Sequence, residues 1–271
     1  MHACDFEYDG LYLSDFGFVI CNFNGGSGVE TISVGSKISF NTTSKFGGKK
    51  YSLTGTTYDE CIETSFDICK DPSIHDDLRI TDTEYRDLIR WLNRRGFYKF
   101  TIVDNENTEM EPRYYNASFN IEKHTVDGVL YGLNLSMITD AQFGFGAERI
   151  IRLEVNDVSK TYTVIDTSDE IGYIYPSIVL TCKTDGTISI TNDKEYCVME
   201  IKGCSAGEVI TIDGNALTIH SSIREYKICN DFNYGFLKIG NTFNDRINRL
   251  TISQPCRLEI KYCPIIKDSP N

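Results

Sequence analysis

Apolar and polar residues alternate with a period of two along most of this chain. Val129, Tyr131, Leu133, Leu135 and Met137 fall on one side of an extended segment, with Leu130, Gly132, Asn134 and Ser136 on the other. Successive side chains of a strand point to opposite faces, so this pattern describes a strand with one dry face. Ile62, Thr64, Phe66 and Ile68 repeat it, as do Tyr98, Phe100 and Ile102, and Leu258, Ile260 and Tyr262. Turn dipeptides fall between such segments: Asn24-Gly25-Gly26, Phe46-Gly47-Gly48, Asp127-Gly128, Asp185-Gly186 and Asp213-Gly214. The last two predict hairpins joining Cys182 to Ile188 and Ile212 to Leu217. Composition agrees: 16 Tyr and 15 Phe outweigh four Met and one Trp, a bias toward strands.

One segment breaks the alternation. Thr81 followed by Glu84 makes a capping box, in which the Thr hydroxyl accepts from the Glu84 amide and the carboxylate reaches back. Tyr85, Leu88, Ile89 and Leu92 then lie at i, i+3, i+4 and i+7, one apolar stripe of a helix over about residues 82–95 that packs on a sheet. Arg94 and Arg95 suit its negative end, and Gly96 its termination. Trp91 lies off the centre of the stripe, which suits packing at the core edge better than an interface anchor.

The 271 residues are enough for two ordinary domains. Both periodicities lapse over residues 139–148, where glycines gather, and the boundary is placed there. The expected architecture is mainly β: a β-rich domain with one helix over residues 1–145, and a β-sandwich over 146–271. The second region has about nine strand-like runs and no helical pattern.

Charge and cysteine content exclude several classes. With 27 Lys and Arg against 39 Asp and Glu, the net charge is −12, and residues 1–145 hold most of the excess, with 13 basic and 22 acidic side chains. Such a chain lacks the basic surplus that grips a phosphate backbone. The first ten residues are acidic and polar rather than basic and then apolar, and apolar runs such as Phe18–Cys21 reach about four residues, so neither a signal peptide nor a membrane span is expected. The ten Cys include no CxxC pair, and the four His are scattered. Reduced thiols acting as small core hydrophobes are expected, at Cys182, Cys197, Cys229 and Cys263 among others, and no zinc site.

No chemistry-bearing motif survives inspection. Gly203-Cys-Ser-Ala-Gly207 has the GxSxG spelling, but that motif needs a strand-to-helix turn, and residues 208–212 continue as a strand. Ser205 is therefore read as a turn residue and His220 as a strand residue. Gly25, Gly26 and Gly28 precede no helix and no Lys-Ser/Thr. The acidic runs Asp71–Asp77 and Asp104–Glu111 lack the spacing of a calcium loop. No catalytic, cofactor-binding or metal-binding residue is assigned, which leaves a structural or binding role.

In chain order, the landmarks resemble the distal tail protein (Dit) family of long, flexible-tailed phages. Phe6–Leu11 with Asp15–Val19 resembles the family's opening hairpin, and Tyr85–Leu92 with Phe97–Phe100 its helix-then-strand unit. Tyr114-Tyr115, the alternating strand to Thr139 and the Phe143–Gly146 passage resemble the end of its first domain. Tyr175–Ile178, Gly207–Asp213 and Asn248–Ser253 resemble strands of its galectin-like second domain. The resemblance implies a split-barrel-like first domain followed by the galectin-like sandwich, in a non-enzymatic virion protein assembled in the host cytoplasm. It would form a homohexameric ring at the distal end of the tail tube, with tube, baseplate and receptor-binding proteins as partners. DNA would pass through without being bound. The alternative is a carbohydrate-binding sandwich for adhesion, with Tyr173, Tyr175 and Tyr234 as its platform.

Overall fold

The structure is a computed structural model that describes residues 5–23, 35–44, 47–58, 60–103, 112–157, 160–195 and 198–268. It is mainly β and divides into two compact units: Met1–Gly146 together with Ile266–Asn271, and Ala147–Ile265.

The first unit contains β1 (Asp5–Tyr8), β2 (Leu11–Tyr12), β3 (Phe18–Cys21), β4 (Ile38–Ser44), β5 (Tyr51–Tyr58), β6 (Glu63–Lys70), α1 (Asp82–Leu92), β7 (Tyr98–Val103), β8 (Arg113–Val126), β9 (Val129–Thr139) and β10 (Gly144–Gly146). Its main sheet runs β2-β1-β7-β8-β9-β6-β3, with β10 on β8. The long β8–β9 hairpin closes through Asp127 and Gly128, both at positive φ (49° and 79°), the backbone whose twist matches that of paired strands. The expected dry face of β9 is present: Leu133, Leu135 and Met137 are buried. They join an aromatic core of Phe6, Tyr8, Phe66, Phe100 and Phe119.

The capping box of α1 forms as expected. Thr81 N–H donates to Glu84 Oε2 at 2.7 Å, and Glu84 N–H to the Thr81 hydroxyl at 3.4 Å. The helix ends at Leu92 rather than about residue 95, with Asn93 as its C-cap. Arg94 leaves the axis to pair with Asp9 at 2.8 Å and to lie 3.7 Å over the Tyr98 ring. These contacts replace the helix-dipole role expected of it, and Arg90 is the basic residue of the last turn. Trp91 is buried with Leu88 and Leu92. It stacks on Phe6 and Phe16 and donates from Nε1 to Tyr8 O at 3.0 Å.

The second unit contains β11 (Arg149–Val155), β12 (Thr161–Ile165), β13 (Gly172–Ile174), β14 (Ser177–Cys182), β15 (Gly186–Asn192), β16 (Val198–Cys204), β17 (Val209–Asp213), β18 (Thr218–Ser221), α2 (Ile228–Asp231), β19 (Ile239–Asn241), β20 (Ile247–Ile252) and β21 (Cys256–Tyr262). One sheet runs β11-β21-β14-β17-β18, a second β12-β20-β15-β16, and β13 pairs with β19. Alternate residues meet in the core: Ile178, Leu180, Ile210, Ile212, Leu258 and Ile260 from the first sheet, and Ile188, Ile190, Met199, Ile201, Leu250 and Ile252 from the second. That is the packing of a sandwich.

Two local expectations need correction. Asp213-Gly214 does turn the β17–β18 hairpin. Asp185-Gly186 does not close one, because β14 pairs with β17 and β21 while β15 pairs with β16 and β20. The dipeptide carries the chain from one sheet to the other. The short helix α2 had no counterpart in the periodicity, since one turn is too brief to show a 3.6-residue pattern; it inserts Ile228 into the core.

Candidate assembly surface

The β4–β5 hairpin forms a two-stranded sheet of its own, outside the core of its unit. Its register pairs Ile38 with Tyr58, Phe40 with Thr56, Thr42 with Leu53 and Ser44 with Tyr51. Directly paired residues share a face, so Ile38, Phe40, Tyr51, Leu53 and Tyr58 lie on one side together with Thr42, Ser44 and Thr56, and Ser39, Asn41, Thr43, Ser52 and Thr57 on the other. A bulge follows Asn41↔Gly55 and takes up Thr54, whose hydroxyl donates to Asn41 O at 2.9 Å. Were Thr54 paired regularly opposite Thr42, Leu53 would fall opposite Thr43 on the polar side.

The apolar side is uncovered at its outer end: Phe40 is 65%, Tyr51 77% and Leu53 59% exposed. At its base, Tyr58 meets the edge of Phe143 with ring centres 4.7 Å apart. Among the described residues, no side chain of β4 or β5 enters the core of the unit. Two-stranded hairpins are marginal in water on their own. Each large apolar side chain here would gain about 1.5–3 kcal/mol from full burial, so the arm has the chemistry of a surface made to be covered.

The residues considered for catalysis or ligand binding lie in turns, on strands and at the exposed surface, where Tyr173, Tyr175 and Tyr234 are among the exposed aromatics. Ser205 lies in the turn between β16 and β17, with its amide on Glu208 Oε2 at 3.0 Å. His220 is an exposed residue of β18 opposite Thr211. Asp71 caps its own turn by accepting from the Ser73 amide and hydroxyl, and Asp77 holds Arg79. Gly25, Gly26, Gly28, Cys197 and the run Asp104–Glu111 lie outside the described residues. Tyr173 and Tyr175 both flank Lys238, at 5.3 and 5.6 Å, and Tyr173 packs over Gly240, its partner in the ladder. Tyr234 packs against Phe232 instead. Cys229 is exposed, contrary to its reading as a core thiol: it sits on the outer side of the single-turn α2. Among the described residues no helix is long and apolar enough to cross a membrane.

The sequence gives no sign of one buried cluster. Cys182 on β14, Cys204 on β16 and Glu208 place one sulfur or oxygen atom each within 4.8 Å of one another, and all three residues are buried. They are brought together by the two sheets, which no spacing rule along the chain reports. Glu208 accepts from Arg224 Nε at 2.8 Å, from the Ser221 hydroxyl and from the Ser205 amide. Burial alone would raise its pKa; these hydrogen bonds together hold it below the ordinary glutamate value.

Comparison with known proteins bears on the whole chain. Residues 1–141 match a family model described as a phage tail protein N-terminal domain, and residues 143–262 one described as a phage tail C-terminal domain. No curated protein matches the sequence. Among solved structures, the chain is similar to the Dit protein of phage SPP1, described as a paradigm of the hub adsorption apparatus in phages that infect Gram-positive bacteria. The TM-score is 0.66 at 13% identity, over 96% of this chain and 98% of that one. At that identity the likeness shows a shared fold. With both family models matched end to end, the chain belongs to a family of two-domain phage tail proteins.

Proposed function

We propose that this protein forms a homohexameric ring at the distal end of the tail tube. The ring is a hub: the tube sits on one side, baseplate or receptor-binding proteins attach around it, and DNA passes through its channel. Its role is structural rather than catalytic. The observation that carries the reading is the β4–β5 arm, a hairpin with an apolar side that its own unit leaves uncovered. A neighbouring copy in a ring covers such a side in every subunit at once, because a head-to-tail contact that closes leaves no subunit unsatisfied. The fold shared with a protein described as a hub supports the same reading.

Charge supports the channel. Residues 1–145 carry a net −9, and an acidic wall repels phosphates over about one Debye length, roughly 8 Å at physiological salt. DNA would slide past rather than bind.

The test is mass by light scattering over a concentration series, with negative-stain imaging. Six copies of 30.7 kDa give about 184 kDa. Phe40→Asp with Leu53→Asp should yield a folded monomer, since both side chains lie outside the core. A dimer at every concentration, or a hexamer that tolerates both aspartates, refutes the arrangement.

A further inference from the structure

The buried thiols of the second unit are arranged for a reaction. Cys182 belongs to one sheet of the sandwich and Cys204 to the other, yet their sulfur atoms lie within 4.8 Å. Arg224 reaches the pair from the side: its Nη2 is 3.8 Å from Cys204 Sγ, a position that favours the thiolate. The guanidinium is itself fixed by Glu208 and Asp231, each at 2.8 Å, and by Lys202 O at 2.6 Å. The neighbouring sulfur is the largest influence on both, drawing the Cys204 thiol down and pushing Cys182 up, while the Glu208 carboxylate opposes ionisation of either and Cys204 Sγ lies 3.5 Å from Ile201 O. One sulfur is thus set to act as the nucleophile and the other to hold its proton.

We propose that Cys182 and Cys204 form a reversible disulfide across the sandwich, with a peroxide as oxidant. The Cys204 thiolate attacks one oxygen of hydrogen peroxide. The O–O bond breaks, hydroxide leaves, and Cys204 becomes a sulfenic acid. The Cys182 sulfur then displaces the hydroxyl from the Cys204 sulfur, which departs as water with the Cys182 proton. The hydroxide from the first step takes the proton that Cys204 gave up. In sum, two thiols and one hydrogen peroxide give one disulfide and two waters, with two electrons passing from sulfur to oxygen. Peroxide has two heavy atoms, which suits a pair buried this deeply.

Two alternatives fit less well. Cys256 faces Cys182 in the ladder, but directly opposed strand residues hold their Cβ atoms about 4.5–5.5 Å apart, beyond the roughly 3.8 Å typical of a disulfide. A divalent cation on Cys182, Cys204 and Glu208 would sit against a guanidinium that already touches two of the three donors. The inference stands independently of ring formation. It gives the second unit a cross-link that a reducing cell interior leaves open and an oxidising exterior closes.

The experiment uses the full chain, treated with hydrogen peroxide, denatured in an alkylating reagent, digested and mapped by mass spectrometry. The expected product is a peptide pair joining Cys182 to Cys204, 2 Da lighter than the sum of its reduced peptides and released by dithiothreitol. The melting temperature of the second unit should rise by about 10 °C, because the bond closes a loop of some two dozen residues in the unfolded chain. The proposal is overturned if both thiols remain alkylatable after exposed Cys229 has been oxidised, or if Cys182 is found joined to Cys256. Zinc retained one-to-one through gel filtration, with both thiols shielded, would also overturn it. The mapping is done on the unsubstituted protein, so no variant has to fold.

Discussion

Replacing Arg224 with Met tests whether the carboxylate under it is held by charge. Met keeps much of the volume and the unbranched stem but removes the guanidinium. Glu208 is fully buried and the Arg224 side chain is 14% exposed, and removing the partner of a buried charge typically costs about 3–5 kcal/mol. The second unit, Ala147–Ile265, has 119 residues. At about 2.1 cal/mol/K per residue its unfolding entropy is about 0.25 kcal/mol/K, so its melting temperature should fall by about 12–20 °C at pH 7.5. Differential scanning calorimetry of the whole chain is the assay, and the transition of the first unit should stay in place. The pH dependence supplies the sign. With Arg224 present, the Glu208 pKa lies below the ordinary value, so its contribution is complete above about pH 4.3, the unfolded value, and is lost only as pH falls through the lower folded one. Without Arg224 the first of the opposing hydrogen bonds is gone, and the expectation is that burial then outweighs those from Ser221 and Ser205 and raises the folded pKa above about 4.3. The stability is then greatest at low pH and falls as pH rises through the new value. The gap between the two proteins should therefore narrow from pH 7.5 to pH 5. A fall of less than about 4 °C, or a gap that widens on acidification, refutes the reasoning.

Other predictions concern packing. Trp91→Ala should cost about 3–5 kcal/mol in urea unfolding, the usual loss for a large core aromatic, and Trp91→Phe less, since it keeps a ring between Phe6 and Phe16. As Trp91 is the chain's single tryptophan, its emission should be blue-shifted in the native protein and report the first unit alone; a red-shifted native spectrum would contradict its burial. Gly214→Ala should be harsher than Gly128→Ala in the same assay. A Cβ at 214 would come within 2.1 Å of Tyr175 O and 2.4 Å of Pro176 O, which are backbone atoms, and such crowding costs about 1–3 kcal/mol. At 128 the space is open and the cost is that of φ +79° alone, about 1–2 kcal/mol. Equal losses at the two positions would sink this distinction.

What could be read from the chain was what is decided locally. The Thr81–Glu84 box works within four residues, and Asp127-Gly128 fixes two positive φ values within two. Both are legible because the groups that satisfy each other are neighbours in sequence. Asp185-Gly186 shows the limit: the dipeptide specifies a change of direction, and whether the strand that follows pairs with the one before depends on β16 and β20, which present better partners from elsewhere. The end of α1 was set in the same way by Asp9 and Tyr98, both outside the helix. The Cys182–Cys204 pair is a further case, since residues on different sheets meet through the core and leave no periodic trace. The β4–β5 arm carries the point furthest. One of its sides gathers Ile38, Phe40, Tyr51, Leu53 and Tyr58 among threonines and a serine, whereas in β9 the apolar residues Leu133, Leu135 and Met137 are buried under the chain's own helix and sheet. A period of two says that one face of a strand needs cover; it does not say which chain supplies it. On β4 and β5 the protein's own unit leaves Phe40, Tyr51 and Leu53 bare, so the pattern that marks a core in β9 marks there a face still without cover.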